Sequence, residues 1–205
     1  MTAPEWFVEP VRPVHLRGDA QGRSYTPDQC AQAVVRRLAA LVTPGSVWEP
    51  CVGGGAFVRA ARLAWPGAHV TGCDLDPDAP GAALCDDFNL QDARDPLPRR
   101  YSVELQRELP TSFDLSITNP PFGKAVGQAV TVSIIAAARQ RATVCAQVVP
   151  LDYLTQTGLE AHVQECALVA PLLPRPFPHE RGMVLLVWDT RHQGPATHDP
   201  LRWRS

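Results

Sequence analysis

The chain has 205 residues, 45% apolar and 20% charged, with a net charge of −2. Such a chain fits one globular domain with a substantial core, and its charge excludes a polycation, so any nucleic-acid surface has to be local. No basic-then-apolar leader opens the sequence and no apolar run reaches about 18 residues, so the expectation is a cytoplasmic protein with no membrane partner.

Residues 1–24 are rich in Pro, Gly and charge and read as an irregular arm. "TPDQ" then opens a helix, with Thr26 as N-cap, Pro27 in the first helical position and Gln29 completing a capping box. Cys30, Val34, Leu38 and Leu41 form its apolar stripe. "SVWE" is a short strand, "PCVGGG" a turn, and "AFVRAARLAW" a helix stopped by Pro66 and Gly67. "AHVTGCD" is a buried strand ending at Asp74, and "AALCDDF" a third strand ending at Asp87 and Phe88. The polar stretch 89–112 carries a helix around "YSVELQREL", and "FDLSIT" is the next strand. A helix over 124–139, the strand "ATVCAQVV", a short helix over 158–166 and the strands "LVAPLL" and "MVLLVW" follow. Residues 191–205 read as an uninformative tail. Alternating strands and helices define an α/β, Rossmann-like, doubly wound sheet, mostly parallel, with helices on both faces and an antiparallel strand near the C-terminus. Ligands of such a sheet bind beyond the carboxyl ends of its strands.

Three unusual stretches fall at those ends. Gly53, Gly54 and Gly55 form a turn that lets a backbone approach a ligand, compatible with NAD, FAD or another adenosine-containing cofactor. The spacing is neither G-x-G-x-x-G nor a phosphate-cradling P-loop. Asp74 can accept hydrogen bonds from ribose hydroxyls, and Asp87 from an adenine amino group. In "TNPPF", the Asn119 side-chain carbonyl stands beside Pro120 and Pro121, whose carbonyls have no competing N–H donors. Fixed acceptors suit a ligand amino group, and Phe122 offers a face for stacking, worth about 1–3 kcal/mol per base at nucleic-acid sites. No strong general base lies in the motif, so the chemistry has to be attack by a lone pair on an activated electrophile. The six cysteines lack a C-x-x-C pair, and His179, His192 and His198 lack ligand spacing, so no metal is expected.

"EPCVGGG", "GCDLD", "CDDF" and "TNPPF", in that order over residues 25–190, resemble the S-adenosylmethionine-dependent amino-methyltransferases of class I fold. The resemblance implies S-adenosyl-L-methionine as cofactor and methyl transfer to an amino nitrogen. Tyr25, Thr26 and Pro27 match the segment that approaches the methionine end of the cofactor. Glu49, Pro50, Gly53 and Gly55 match the cofactor loop, Asp74 with Leu75 the ribose-binding position, and Asp87 with Phe88 the adenine-binding pair. Asn119, Pro120, Pro121 and Phe122 match the catalytic tetrapeptide. With "YTP" in front and the cofactor loop before the tetrapeptide, the order is similar to the gamma arrangement of DNA amino-methyltransferases.

The substrate implied first is the N6 amino group of adenine in DNA. RNA adenine, cytosine N4 and a protein glutamine amide remain alternatives, as do a non-catalytic binding protein and a dinucleotide-dependent dehydrogenase. Enzymes of the gamma order usually carry a recognition domain after the catalytic core, and no separate one is expected here. Recognition then falls to loops, to a partner or to a homodimer. The loop candidates are 89–112, with Arg94, Arg99, Arg100 and Arg107, and "RPFPHERG", with Arg175, Phe177 and Arg181.

Overall fold

Strand β1 (Ser46–Glu49) sits near the middle of the sheet, flanked by β2 (His69–Asp74) and β6 (Phe113–Thr118), both parallel to it. The computed structural model describes residues 25–97, 101–102, 107–108, 111–122, 128–155, 160–177 and 182–204. The other strands of the main sheet are β3 (Asp87–Leu90), β7 (Ala142–Pro150), β8 (Leu168–Leu173), β9 (Met183–Asp189), β10 (Thr197–His198) and β11 (Leu201–Arg202). Among the described residues the order is β10-β8-β9-β7-β6-β1-β2-β3, with β11 also pairing β8. Strand β9 runs antiparallel to both β7 and β8, and the remaining pairs are parallel.

The chain moves outward from β1 to β2 and β3, then returns to add β6 and β7 on the other side. The reversal point therefore lies between β1 and β6, where open α/β sheets form their ligand crevice.

Side-chain alternation explains the layering. Val47, Leu115, Ile117, Val144, Ala146 and Val148 face one core, packed against α1 (Asp28–Ala39) and α2 (Ala56–Ala64). Trp48, Cys145, Val149, Val184 and Leu186 face the other core, packed against α3 (Gln128–Arg141). Helix α4 (Glu160–Gln164) is a single short segment before β8. No helix among the described residues is long and apolar enough to cross a membrane.

Three elements differ from the sequence reading. Helix α1 begins at Asp28, with Pro27 as its N-cap and no side-chain capping bond, so Thr26 is not the cap. Leu41 lies beyond the helix and is exposed. The expected third strand begins late: Ala82–Leu84 is a 3₁₀ turn, and β3 starts at Asp87. The expected helix around "YSVELQREL" is replaced by β4 (Tyr101–Ser102) and β5 (Arg107–Glu108), an antiparallel pair.

The C-terminal stretch is also part of the fold. Residues β10 and β11 pair with β8, Trp203 is buried, and its Nε1 donates to the Pro174 carbonyl at 2.5 Å. Asp199 pairs with Arg37 of α1 at 3.1 Å, tying the segment across to the first helix.

Candidate cofactor and amino-group site

The turn after β1 folds as its glycines demand. Gly53 and Gly55 have φ of +46° and +75°, left-handed backbone that other residues adopt only under strain. A side chain at Gly55 would also reach within 2.8 Å of the Gly81 Cα. Gly81 N donates to the Gly53 carbonyl at 2.9 Å, so the segment after β2 is folded back onto the turn. Gly81 has no place in the sequence-derived site. The Pro80-Gly81 dipeptide was its signal, since such pairs mark turns.

Asp74 closes β2 and braces this turn. Its Oδ2 accepts from Gly53 N at 2.8 Å and its Oδ1 from Asp76 N at 3.0 Å. Both oxygens keep further lone pairs for a ligand hydroxyl. Leu75, next in the chain, is 71% exposed, and Leu90, paired in register with Asp74, is 58% exposed. Two apolar side chains thus stand in water at the same strand ends.

Glu49 ends β1 and is only 2% exposed, with Pro50 buried beside it. Its Oε1 accepts from Cys51 N at 3.1 Å. Burial pushes the Glu49 carboxyl well above its ordinary range, opposed in part by the Thr118 hydroxyl and the Cys51 amide. The carboxyl is therefore protonated in the folded chain at pH values where the unfolded chain ionises it. Stability from this group is full below the unfolded value, about 4.3, and declines as pH rises through the raised folded value. Glu49→Gln, which keeps an acceptor for Cys51 N, is expected to melt higher than the native chain at pH 7–8. Its melting temperature should also vary less between pH 5 and 8, as thermal scans across that range would show.

The segment ahead of α1 lies on the glycine turn. A Cβ at Gly53 would be 3.1 Å from Tyr25 Cε1, and one at Gly54 would be 3.2 Å from Tyr25 Cγ, so the tyrosine ring rests directly on the backbone. Arg59 of α2 fastens the two together. It pairs with Asp28 at 2.6 Å and donates to the Gly54 carbonyl at 2.8 Å.

Asn119 follows β6, across the reversal point from the glycine turn. Its Nδ2 donates to Thr26 Oγ1 at 3.1 Å, which links the segment before α1 to the strand end 93 residues later. Its Oδ1 is buried and has no hydrogen-bond partner among the described residues. A buried, unmatched carbonyl is uncommon, because it forfeits its hydration.

Pro120 is buried and Pro121 exposed. The Pro121 carbonyl accepts from Thr131 Oγ1 at 2.6 Å, which anchors the motif to α3 with one of its two lone pairs. Thr131 is fully buried and was not legible from the sequence, since a helix-interior threonine carries no motif. Phe122 is half-buried against both cores rather than standing free.

Asp87 and Phe88 do not close their strand. Asp87 opens β3, level with Thr71, and Phe88 is level with Gly72 and packs against the core under α1 and α2. The acid beyond the carboxyl end of β3 is Asp92, which binds Arg94 through three contacts within its own loop. Of the residues in the candidate recognition loops, Arg94 is thus paired, Arg175 is exposed, and Phe177 is buried. Arg99, Arg100, Arg181 and His179 lie outside the described residues, as does the side chain of Arg107.

Nucleophilic cysteine chemistry has no place here. The thiols of Cys30, Cys73, Cys145 and Cys166 are pushed up to about 12, chiefly by burial. Among the described residues no group of His, Cys, Asp and Glu is placed to hold a metal ion.

No family model and no curated protein matches the chain. Solved structures do. A modification subunit of a candidate type I restriction enzyme from Vibrio vulnificus has a TM-score of 0.62 at 16% identity, over 90% of this chain and 48% of that one. The M protein of the type I restriction enzyme EcoKI has a TM-score of 0.57 at 16% identity, over 88% of this chain and 48% of that one. A candidate RNA methyltransferase from Pyrococcus horikoshii has a TM-score of 0.58 at 16% identity, over 80% of this chain and 86% of that one. The chain spans about half the length of the two restriction-type subunits. At these identities the likeness is one of fold. The fold is the Rossmann-like one, with a mostly parallel sheet, that these proteins share.

Proposed function

We propose that the chain is an S-adenosylmethionine-dependent methyltransferase acting on the N6 amino group of adenine in DNA. The observation that carries this is the buried Asn119 Oδ1 at the end of β6, without a partner among the described residues, next to Pro120 and across from the glycine turn. A buried acceptor with no donor of its own suits an incoming amino group, which brings the missing hydrogens.

The residues of the turn fit the cofactor. Asp74 would accept from the ribose hydroxyls, Leu75 would lie against the adenine ring, and the methionine end would run past the Gly53–Gly55 turn beside Tyr25. S-adenosylmethionine, when bound, supplies a sulfonium methyl group as the electrophile. Asp74 favours its positive charge and disfavours a pyrophosphate, which argues for it over NAD. A target adenine in a duplex leaves its stack, at a few kcal/mol. Asn119 Oδ1 and the Pro120 carbonyl then accept from its amino hydrogens, localising the nitrogen lone pair. Phe122 offers one ring face to the base. The residues hold the nitrogen in line for attack, and such orientation is worth on the order of 7–11 kcal/mol.

RNA is the second reading. It is favoured by the likeness to the Pyrococcus horikoshii chain, which is covered over most of its length, unlike the restriction-type subunits. The experiment is methyl transfer from labelled S-adenosylmethionine to DNA, RNA and total protein in parallel. Label in DNA is the expected result. Label in RNA alone favours the second reading, and label in protein alone contradicts both.

A further inference from the structure

We infer that Thr26 is a positioning residue, which fixes the side-chain amide of Asn119 with its carbonyl oxygen toward the acceptor position. This rests on the methyltransferase reading for its purpose, though not for its geometry. An asparagine amide can be turned over with little change of shape, exchanging its carbonyl and NH2. The two orientations have opposite effects on an incoming amino group. A carbonyl accepts its hydrogens, whereas an NH2 would set donor against donor.

The Thr26 hydroxyl could serve either orientation, because it both donates and accepts. The burial of the far atom decides between them. With Nδ2 on Thr26, the buried atom without a partner is the carbonyl oxygen. Turned over, the amide would leave its NH2 there, and orphaned buried N–H groups are rarer than under-satisfied carbonyls. Without the threonine oxygen both ends of the amide lack a partner, and that preference is lost.

Thr26 is itself held in place. The Tyr25 ring is seated on Gly53 and Gly54, and Asp28 is tied through Arg59 to the Gly54 carbonyl. The orienting oxygen is therefore attached to the cofactor turn, and the amide is aimed by the element that approaches the cofactor.

The test compares Thr26→Val, which keeps the shape but has no acceptor, with Thr26→Ser, which keeps the hydroxyl. The side-chain amide signals of Asn119 in the ¹⁵N spectrum, assigned by their absence in Asn119→Asp, report the hydrogen bond without any turnover. In Thr26→Val these signals should shift and lose their slow exchange, and Thr26→Ser should restore them. The kcat for methyl transfer to DNA should fall about tenfold in the valine variant, with S-adenosylmethionine affinity within about twofold and kcat recovered by serine. Unchanged Asn119 signals in Thr26→Val would overturn the inference. So would a loss of cofactor affinity by the same factor as kcat, which would make Thr26 a cofactor contact instead. If even the native chain transfers no methyl group, the functional reading fails, and the amide signals alone decide whether Thr26 orients Asn119.

Discussion

Asn119→Ala is expected to lower methyl transfer by about 10²–10³-fold, the range seen when one preorganised polar group is removed from a reacting centre. The variant deletes the Asn119 side-chain carbonyl oxygen, which has no partner among the described residues and is placed to receive the target amino group. Cofactor affinity should change little, because the Asp74 and glycine-turn contacts do not pass through Asn119. The unpaired Thr26 hydroxyl left behind can be solvated once the amide is gone. Single-turnover rates and calorimetry on the same preparation separate the two effects. Equal losses in both would place Asn119 in cofactor binding rather than in amino-group recognition.

Trp48→Ala should have the largest effect on stability, a loss of about 3–5 kcal/mol. The side chain is fully buried in the centre of β1 and stacks on Phe113 with ring centroids 5.7 Å apart. Its Nε1 donates to Cys73 Sγ at 3.1 Å, and the Arg141 guanidinium lies 5.1 Å above its ring. One residue therefore joins β1 to β2, β6 and the end of α3. A loss of that size is a large part of the 5–15 kcal/mol that holds a typical domain together. Urea unfolding gives the value directly. Because Glu49 follows in the same strand, the variant should also bind cofactor more weakly. A loss below 1 kcal/mol would show that the cavity collapses and that β1 is not the keystone of the sheet.

The central strands were legible because each is a short apolar run ended by Gly, Asp or Pro, and parallel strands buried on both faces read that way. The site positions at β1, β2 and β6 followed, since a strand end can be read from one sequence. Contacts between distant segments were not legible. Local capping rules fit Thr26-Pro27-Asp28-Gln29 well, yet the hydroxyl of Thr26 is taken by Asn119, 93 residues away. Nothing in the local pattern records that competition.

The misplacement of Asp87 has a similar cause. "AALC" is apolar enough to begin a strand, but Gly81 is pressed against the Gly55 backbone and the chain turns through Ala82–Leu84 before it can extend. "YSVELQREL" satisfies two periodicities at once. Tyr101, Leu105 and Leu109 recur at helical spacing, while Tyr101, Val103 and Leu105 alternate as in a strand, and pairing with a neighbour decides between them. The tail was unreadable because its order comes from the free edge of β8 and from a pocket for Trp203, both assembled elsewhere in the chain.

The most direct test of the central claim is nucleoside analysis of DNA from cells expressing the native chain or Asn119→Ala. N6-methyladenine in the first and its absence from the second is the result predicted. Unmodified DNA adenine in both, with methyl groups found on cytosine or on protein, would contradict it.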